Sequence, residues 1–243
     1  MENYNENYEL RSSTKTLSNS FVANVFMWMV AALGITALTA YLFGTNEELF
    51  SMMLTVKADG RIGISILGWI VMLAPLALVF IMSAGIERMK SSTMVLLYIV
   101  YSILTGMSLC FIFMAFTETS IAKTFFITAG MFGVMAVVGY TTNTDLTKLG
   151  SILIMALVGI IIATLVNMFM GSARLEYIIS IAGVIIFTGL TAYDVQKIKR
   201  IGMLGIDNNE TMTKITIHAA LNLYLDFLNL FLYLLRFFGR SKN

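Results

Sequence analysis

Charge is what this sequence has least of. Of its 243 residues only 12% are Asp, Glu, Lys or Arg, while 58% are hydrophobic, and mean hydropathy is +0.84. A soluble domain carries roughly 25% charged residues. Half that share cannot hydrate the surface of a water-soluble fold of this length, which excludes a soluble enzyme or carrier. Cysteine is almost absent: Cys110 stands alone, excluding an intrachain disulfide and a cysteine-rich metal site. It lies in an apolar run, where a thiol is a small, inert, buried side chain. The single histidine, His218, offers no zinc-ligand spacing. Proline is equally scarce, with Pro75 the sole example. Long uninterrupted helices are therefore permitted, and the 18 methionines suit their adaptable packing. A net charge of +2 spread along the chain gives no nucleic-acid surface. No Ser or Cys nucleophile has an evident base, and no glycine loop cradles phosphate. An enzyme is not expected, nor is a bound cofactor.

What is present is apolar length. Crossing roughly 30 Å of hydrocarbon at 1.5 Å per residue takes about 20 apolar residues. The sequence offers seven such segments: 21–43, 62–84, 93–115, 121–140, 151–170, 177–194 and 215–238. They are twice the length of a barrel strand and lack two-residue alternation. The predicted fold is an all-α integral membrane protein, a bundle of seven transmembrane helices. Residues 1–20 form a polar tail, read as disordered, and 21–243 a single transmembrane domain. The tail carries three Glu against one Arg and one Lys, unlike a cleavable signal peptide. In the fourth span, Ala129, Gly133, Ala136 and Tyr140 fall on one face with Gly130 and Gly139 beside it, a pattern suited to close helix contact in lipid. Asn24 and Asn167 are read as interhelical hydrogen-bonding residues.

The distribution of Lys and Arg places the N-terminus in the cytoplasm. The last segment is long enough to cross, and a re-entrant path would strengthen the same bias.

Ionisable groups in hydrocarbon are costly and mark function by default. Asp226 is the acidic residue midway along the last span. His218, Asn222, Asp226, Asn229, Tyr233 and Arg236 recur at steps of three and four, a polar stripe on an otherwise apolar helix. The sixth span closes with Thr188, Thr191 and Asp194 along one side. Asp194 has two readings. It is an interfacial carboxylate paired with Lys197 or Lys199, or it meets Asp226 across antiparallel helices. Two close carboxylates in a low dielectric would share a proton and titrate as one unit. Deprotonated, they would repel each other or take up a hard cation, and oxygen-only ligands suit calcium. His218, near a span end, is either a proton donor to the stripe or an interfacial histidine bonded to backbone or water.

Two stretches also carry a likeness. Phe187-Thr188-Gly189-Leu190-Thr191-Ala192-Tyr193-Asp194-Val195-Gln196 and Ala220-Leu221-Asn222-Leu223-Tyr224-Leu225-Asp226-Phe227-Leu228-Asn229 resemble the signature segments of the transmembrane Bax inhibitor motif family. The likeness extends over the whole chain and points to a bacterial member. It implies two three-helix layers around a central last helix. It also implies that Asp194 and Asp226 match the family's paired aspartates, associated with a pH-sensitive calcium leak. Bacterial relatives place a basic cluster before the third span, whose arginine clamps one aspartate in the shut state. The corresponding stretch here is Glu87-Arg88-Met89-Lys90, so Arg88 is the candidate latch, inside an altered cluster.

The expected function is a passive, pH-sensitive calcium leak channel of the bacterial cytoplasmic membrane, with calcium as transported ion and the lipid bilayer as surroundings. Asp194 and Asp226 would sense pH and bind the cation, with Arg88, His218, Asn222, Asn229 and Thr191 in support. The alternative is a membrane-embedded regulator of protein quality control, acting on an FtsH-type membrane protease through the polar tail.

Overall fold

The computed structural model describes residues 2–56, 61–205, 208–240 and 242, with side chains from Ser18 onward. Seven helices among the described residues are long and apolar enough to cross a membrane. In chain order the elements are α1 (Glu2–Thr45), α2 (Glu47–Ser51), β1 (Leu54–Val56), β2 (Ile62–Ile64), α3 (Ile66–Gly85), α4 (Ser91–Leu109), α5 (Ile112–Ala115), α6 (Glu118–Thr141), α7 (Thr147–Met170), α8 (Ala173–Met203) and α9 (Asn209–Phe238). Among the described residues the fold is all-α apart from one short hairpin, and α9 is the most enclosed of the seven long helices.

Three boundaries differ from the sequence reading. The backbone of α1 is helical from Glu2, so the polar tail continues the first span as helix. Once a membrane helix exists, each added residue gains a hydrogen bond without a new nucleus. The second span starts at Ile66, not at 62, because Ile62–Ile64 pair as a strand with Leu54–Val56. Ser65 then caps α3, its hydroxyl accepting from the Gly68 N–H at 3.0 Å. The sixth span ends at Met203, so Asp194 lies well inside a helix and does not close one.

The chain divides into two compact units. The first comprises Met1–Phe26, Thr119–Asp207 and Asn222–Gly239, and so holds α6, α7, α8 and the larger part of α9. A two-residue turn joins α7 to α8. Gly171 there adopts φ +61°, open to glycine without steric cost, and Asn167 Oδ1 accepts from the Ser172 N–H at 3.0 Å. Asn167 thus serves the turn and not a neighbouring helix. Leu153 packs over Gly189 and the Tyr193 ring over Gly150, closing α7 onto α8. The buried stripe of α6 runs Thr124, Thr128, Phe132, Ala136 and Gly139. Gly139 meets the Ala192 backbone of α8 directly, whereas Gly130 and Gly133 face open space. The small-residue face expected at Ala129 and Gly133 is exposed.

The second unit comprises Met27–Glu118, Asn208–Leu221 and Arg240–Asn243. Here α1 meets α4 at Gly106, which sits against Thr36 and Thr39. The Thr36 hydroxyl donates to the Ser102 carbonyl at 2.9 Å. Met53, Val71 and Cys110 form a buried cluster ringed by Phe43, Phe50 and Phe111. Cys110 is fully buried, as its apolar setting predicts.

Candidate functional site

Helices α8 and α9 pair antiparallel, and three contacts in the first unit set their register. Tyr177 stacks on Phe237 with ring centroids 5.5 Å apart, and Phe187 on Tyr233 at 5.9 Å. Further along α8, Asp194 and Asp226 share a side-chain hydrogen bond. Residue numbers climb along α8 as they fall along α9. Gly183 permits this approach by exposing its backbone to the Tyr233 ring. Asp194 therefore meets Asp226 and also feels the charge of Lys197, which is exposed three residues on; Lys199 turns away, donating to the Tyr140 carbonyl at 2.7 Å and lying over that tyrosine ring.

A hydrogen bond between two carboxyl groups requires a proton, since two bare carboxylates are both acceptors. Surroundings reinforce that demand. Asp226 is 6% exposed, and its neighbour Phe227 packs edge-on against Phe125 and Phe132 at 5.4 and 5.5 Å. Among the described residues, Oδ2 of Asp226 has no hydrogen-bond partner, so one buried oxygen lone-pair set stands ready for a proton or a cation.

The supporting residues of the predicted stripe divide. Thr191 is wholly buried and its hydroxyl donates to its own helix at Phe187 O, 2.7 Å. Asn229 is half-buried and likewise bonds within α9, its amide donating to Leu225 O at 2.8 Å. Asn222 is half-buried one turn before Asp226. Tyr233 reaches Thr164 of α7 with its hydroxyl, and Arg236 sits at the exposed end, 6.0 Å from the Tyr233 ring centre. His218 and Arg88 belong to the second unit. His218 is half-buried, and Arg88 is exposed in the turn between α3 and α4.

One polar assembly escaped the sequence reading. Just beyond Asp194, Gln196 is buried and holds the 142–146 turn by two bonds. Its Oε1 accepts from the Leu146 N–H at 2.9 Å, and its Nε2 donates to Thr144 O at 2.8 Å. Arg200, one turn on, donates to Asp145 at 2.7 Å, to the Thr147 hydroxyl at 3.0 Å and to Gln196 at 2.8 Å. The Thr147 hydroxyl, then Arg200, then the Thr147 N–H hold the Asp145 carboxylate well below the usual range. Lys199 completes the clasp, accepting a bond from the Ser18 hydroxyl at its carbonyl, 3.1 Å. The signal available in sequence was the four-residue spacing of Gln196 and Arg200 on a helix continuing past Asp194.

No group of three or more His, Cys, Asp or Glu residues able to hold a metal occurs among the described residues. Two carboxylates supply at most four oxygens, fewer than the six to eight that calcium takes when firmly held. This donor set suits a passing cation completed by water and carbonyls, not a resident ion.

The family model described as Inhibitor of apoptosis-promoting Bax1 matches residues 18–243. A Borreliella burgdorferi protein is 47% identical over 227 residues, covering 93% of this chain and 94% of its own length. Inner membrane protein YbhL of Escherichia coli K12 is 42% identical over 225 residues, 92% of each chain. A Rickettsia prowazekii protein is 39% identical over 246 residues, spanning both chains in full.

Proposed function

Because this chain belongs to the family of inhibitors of apoptosis-promoting Bax1, we propose that it works as a pH-sensitive passive calcium leak gated by the Asp194–Asp226 pair. It is a multi-pass protein of the bacterial inner membrane, and the proposed orientation has the N-terminus in the cytoplasm. The observation that carries the reading is the carboxyl–carboxyl hydrogen bond between α8 and α9, with Asp226 buried and Asp194 half-buried. With one proton between them, the carboxyl groups clasp the two helices. Removing that proton turns attraction into repulsion. Two unit charges 4 Å apart repel by about 4 kcal/mol at an effective dielectric of 20. Each 1.4 kcal/mol is a factor of ten in an equilibrium, so this repulsion alone shifts a shut-to-open ratio by up to about a thousandfold. The separated carboxylates then offer oxygen ligands to a divalent cation moving down its gradient. No nucleotide or enzymatic step enters the scheme.

The test is calcium entry into liposomes holding the purified protein, scanned from acid to mildly alkaline pH. Flux rises with pH in the wild type, and Asp226→Asn keeps the fold but loses the dependence. Unchanged pH-dependent flux in that variant sinks the mechanism. No flux above empty liposomes at any pH moves the reading to the second role, a regulator engaging an FtsH-type membrane protease through the residues preceding Phe21. Deleting 1–20 would then abolish protease engagement, whereas a leak would survive the deletion.

A further inference from the structure

The hairpin between α2 and α3 carries an apolar face that the described residues leave uncovered. Val56 pairs with Ile62 and Leu54 with Ile64. Cross-strand partners, and residues two apart on one strand, share a face. One face therefore holds Leu54, Val56, Ile62 and Ile64, and the other holds Thr55 and Gly63. Leu54 and Ile64, at the root, are half-buried, but Val56 is 74% and Ile62 70% exposed.

The strands are tied down at their root. Met53, fully buried beside Val71 and Cys110, anchors the root. The Ser65 N–H donates to Met53 O at 2.9 Å, and the Ser65 hydroxyl to Met52 O at 2.8 Å. Gly68 lies so close that a Cβ there would come 2.6 Å from Met53 O. The depth of the hairpin is thus tied to the first turn of α3, a membrane-length helix. That turn exposes Ile66 and Trp69, and tryptophan concentrates at the headgroup level of membrane helices. The exposed hairpin face therefore starts beside the exposed first turn of α3. Two β-branched side chains fall far short of the roughly 800 Å² that a stable protein partner covers.

We propose that strands β1 and β2 lie against the membrane surface, with Val56 and Ile62 seated among lipid headgroups and the first acyl carbons. The hairpin then acts as an interfacial float that fixes the height of α3 in the bilayer.

The test places single cysteines at Val56, Ile62 and Thr55 for an environment-sensitive fluorophore. Two backgrounds are used, native Cys110, whose burial shields it from label, and Cys110→Ala. The host is a nanodisc of phosphatidylethanolamine and phosphatidylglycerol holding one chain. Labels at 56 and 62 emit to the blue, and headgroup nitroxide lipid quenches them severalfold more than aqueous iodide does. The label at 55 shows the reverse order. Equal iodide quenching at all three positions overturns the proposal. Shielding that appears only when two chains share a disc also overturns it, by making a second copy the occupant. Either position alone decides the matter if the other variant fails to fold.

Discussion

A Cβ placed on Gly183 of α8 would lie 2.6 Å from Cδ2 of Tyr233 on α9, so the glycine presents its backbone directly to the phenol ring. The same ring stacks on Phe187 and its hydroxyl reaches Thr164. Tyr233 thereby fixes how closely α8 and α9 approach along the helices that carry the aspartates.

Gly183→Val should push the helices apart at that point. Overpacking of this kind costs about 1–3 kcal/mol, read as a lower melting temperature in detergent. Because the aspartate pair shares those helices, the pH midpoint of calcium flux should move as well. A variant unchanged in both would mean that this contact does not set the register.

Asp194 and Asp226 act through one shared hydrogen bond, so their substitutions should not add. Asp194→Asn and Asp226→Asn should each flatten the pH profile of flux, and the double variant should add little more. Additive losses measured across the four proteins would show two independent sensors.

Gly139 and Gly133 lie six residues apart on α6 with opposite surroundings. A Cβ at Gly139 would run into the Ala192 backbone, which has no rotamer with which to yield, while one at Gly133 meets nothing within 4 Å. Gly139→Ala should therefore fail to accumulate or melt early. Gly133→Ala should be neutral or slightly stabilising, by up to about 1 kcal/mol of helix propensity. Paired melting curves decide between these outcomes and equal sensitivity at both positions.

That contrast also marks how far the sequence could be read. The periodicity of Leu and Phe against His218, Asn222, Asp226 and Asn229 made α9 recognisable, but spacing left Asp194 with two readings, and it was the family resemblance that favoured its pairing with Asp226. Apolar length located the seven crossings. It could not distinguish Ile62–Ile64 from the start of a helix, because a short apolar run serves either structure until its partner strand is known. Nor could spacing reveal which small residues of α6 touch a neighbour: Gly130, Gly133 and Gly139 look alike until α8 is in place. Gln196 binds backbone groups of the 142–146 turn, and backbone partners leave no trace in side-chain pattern.

The clasp has its own pH signature. Asp145 is held below the usual carboxylate range, so its contribution is intact above about 3.9, the unperturbed value. It is lost only as pH falls through the lower folded value. A spin label at Thr142→Cys should keep constant mobility from neutral pH down to about 4 and loosen in stronger acid, or at any pH with Asp145→Asn. Gln196→Ala, which strips two bonds from the partly exposed backbone of Thr144 and Leu146, should cost about 0.5–1.5 kcal/mol per bond. Loosening near neutrality in the otherwise unaltered protein would contradict the assignment.

The tight turn at Gly171 bears on how the protein enters the membrane at all. Helices α7 and α8 are joined by almost no chain and packed together at Gly150 and Gly189, so they can leave the translocon as a single hairpin. The more apolar α7 carries in its more polar partner. Next comes α9, the least apolar of the seven helices, with Asp226 at its middle. An aspartate at mid-helix costs about 2.5–3.5 kcal/mol on insertion, but the ribosome delivers α9 only after Asp194 has arrived to receive it. The order of synthesis is therefore part of what makes so polar a helix insertable.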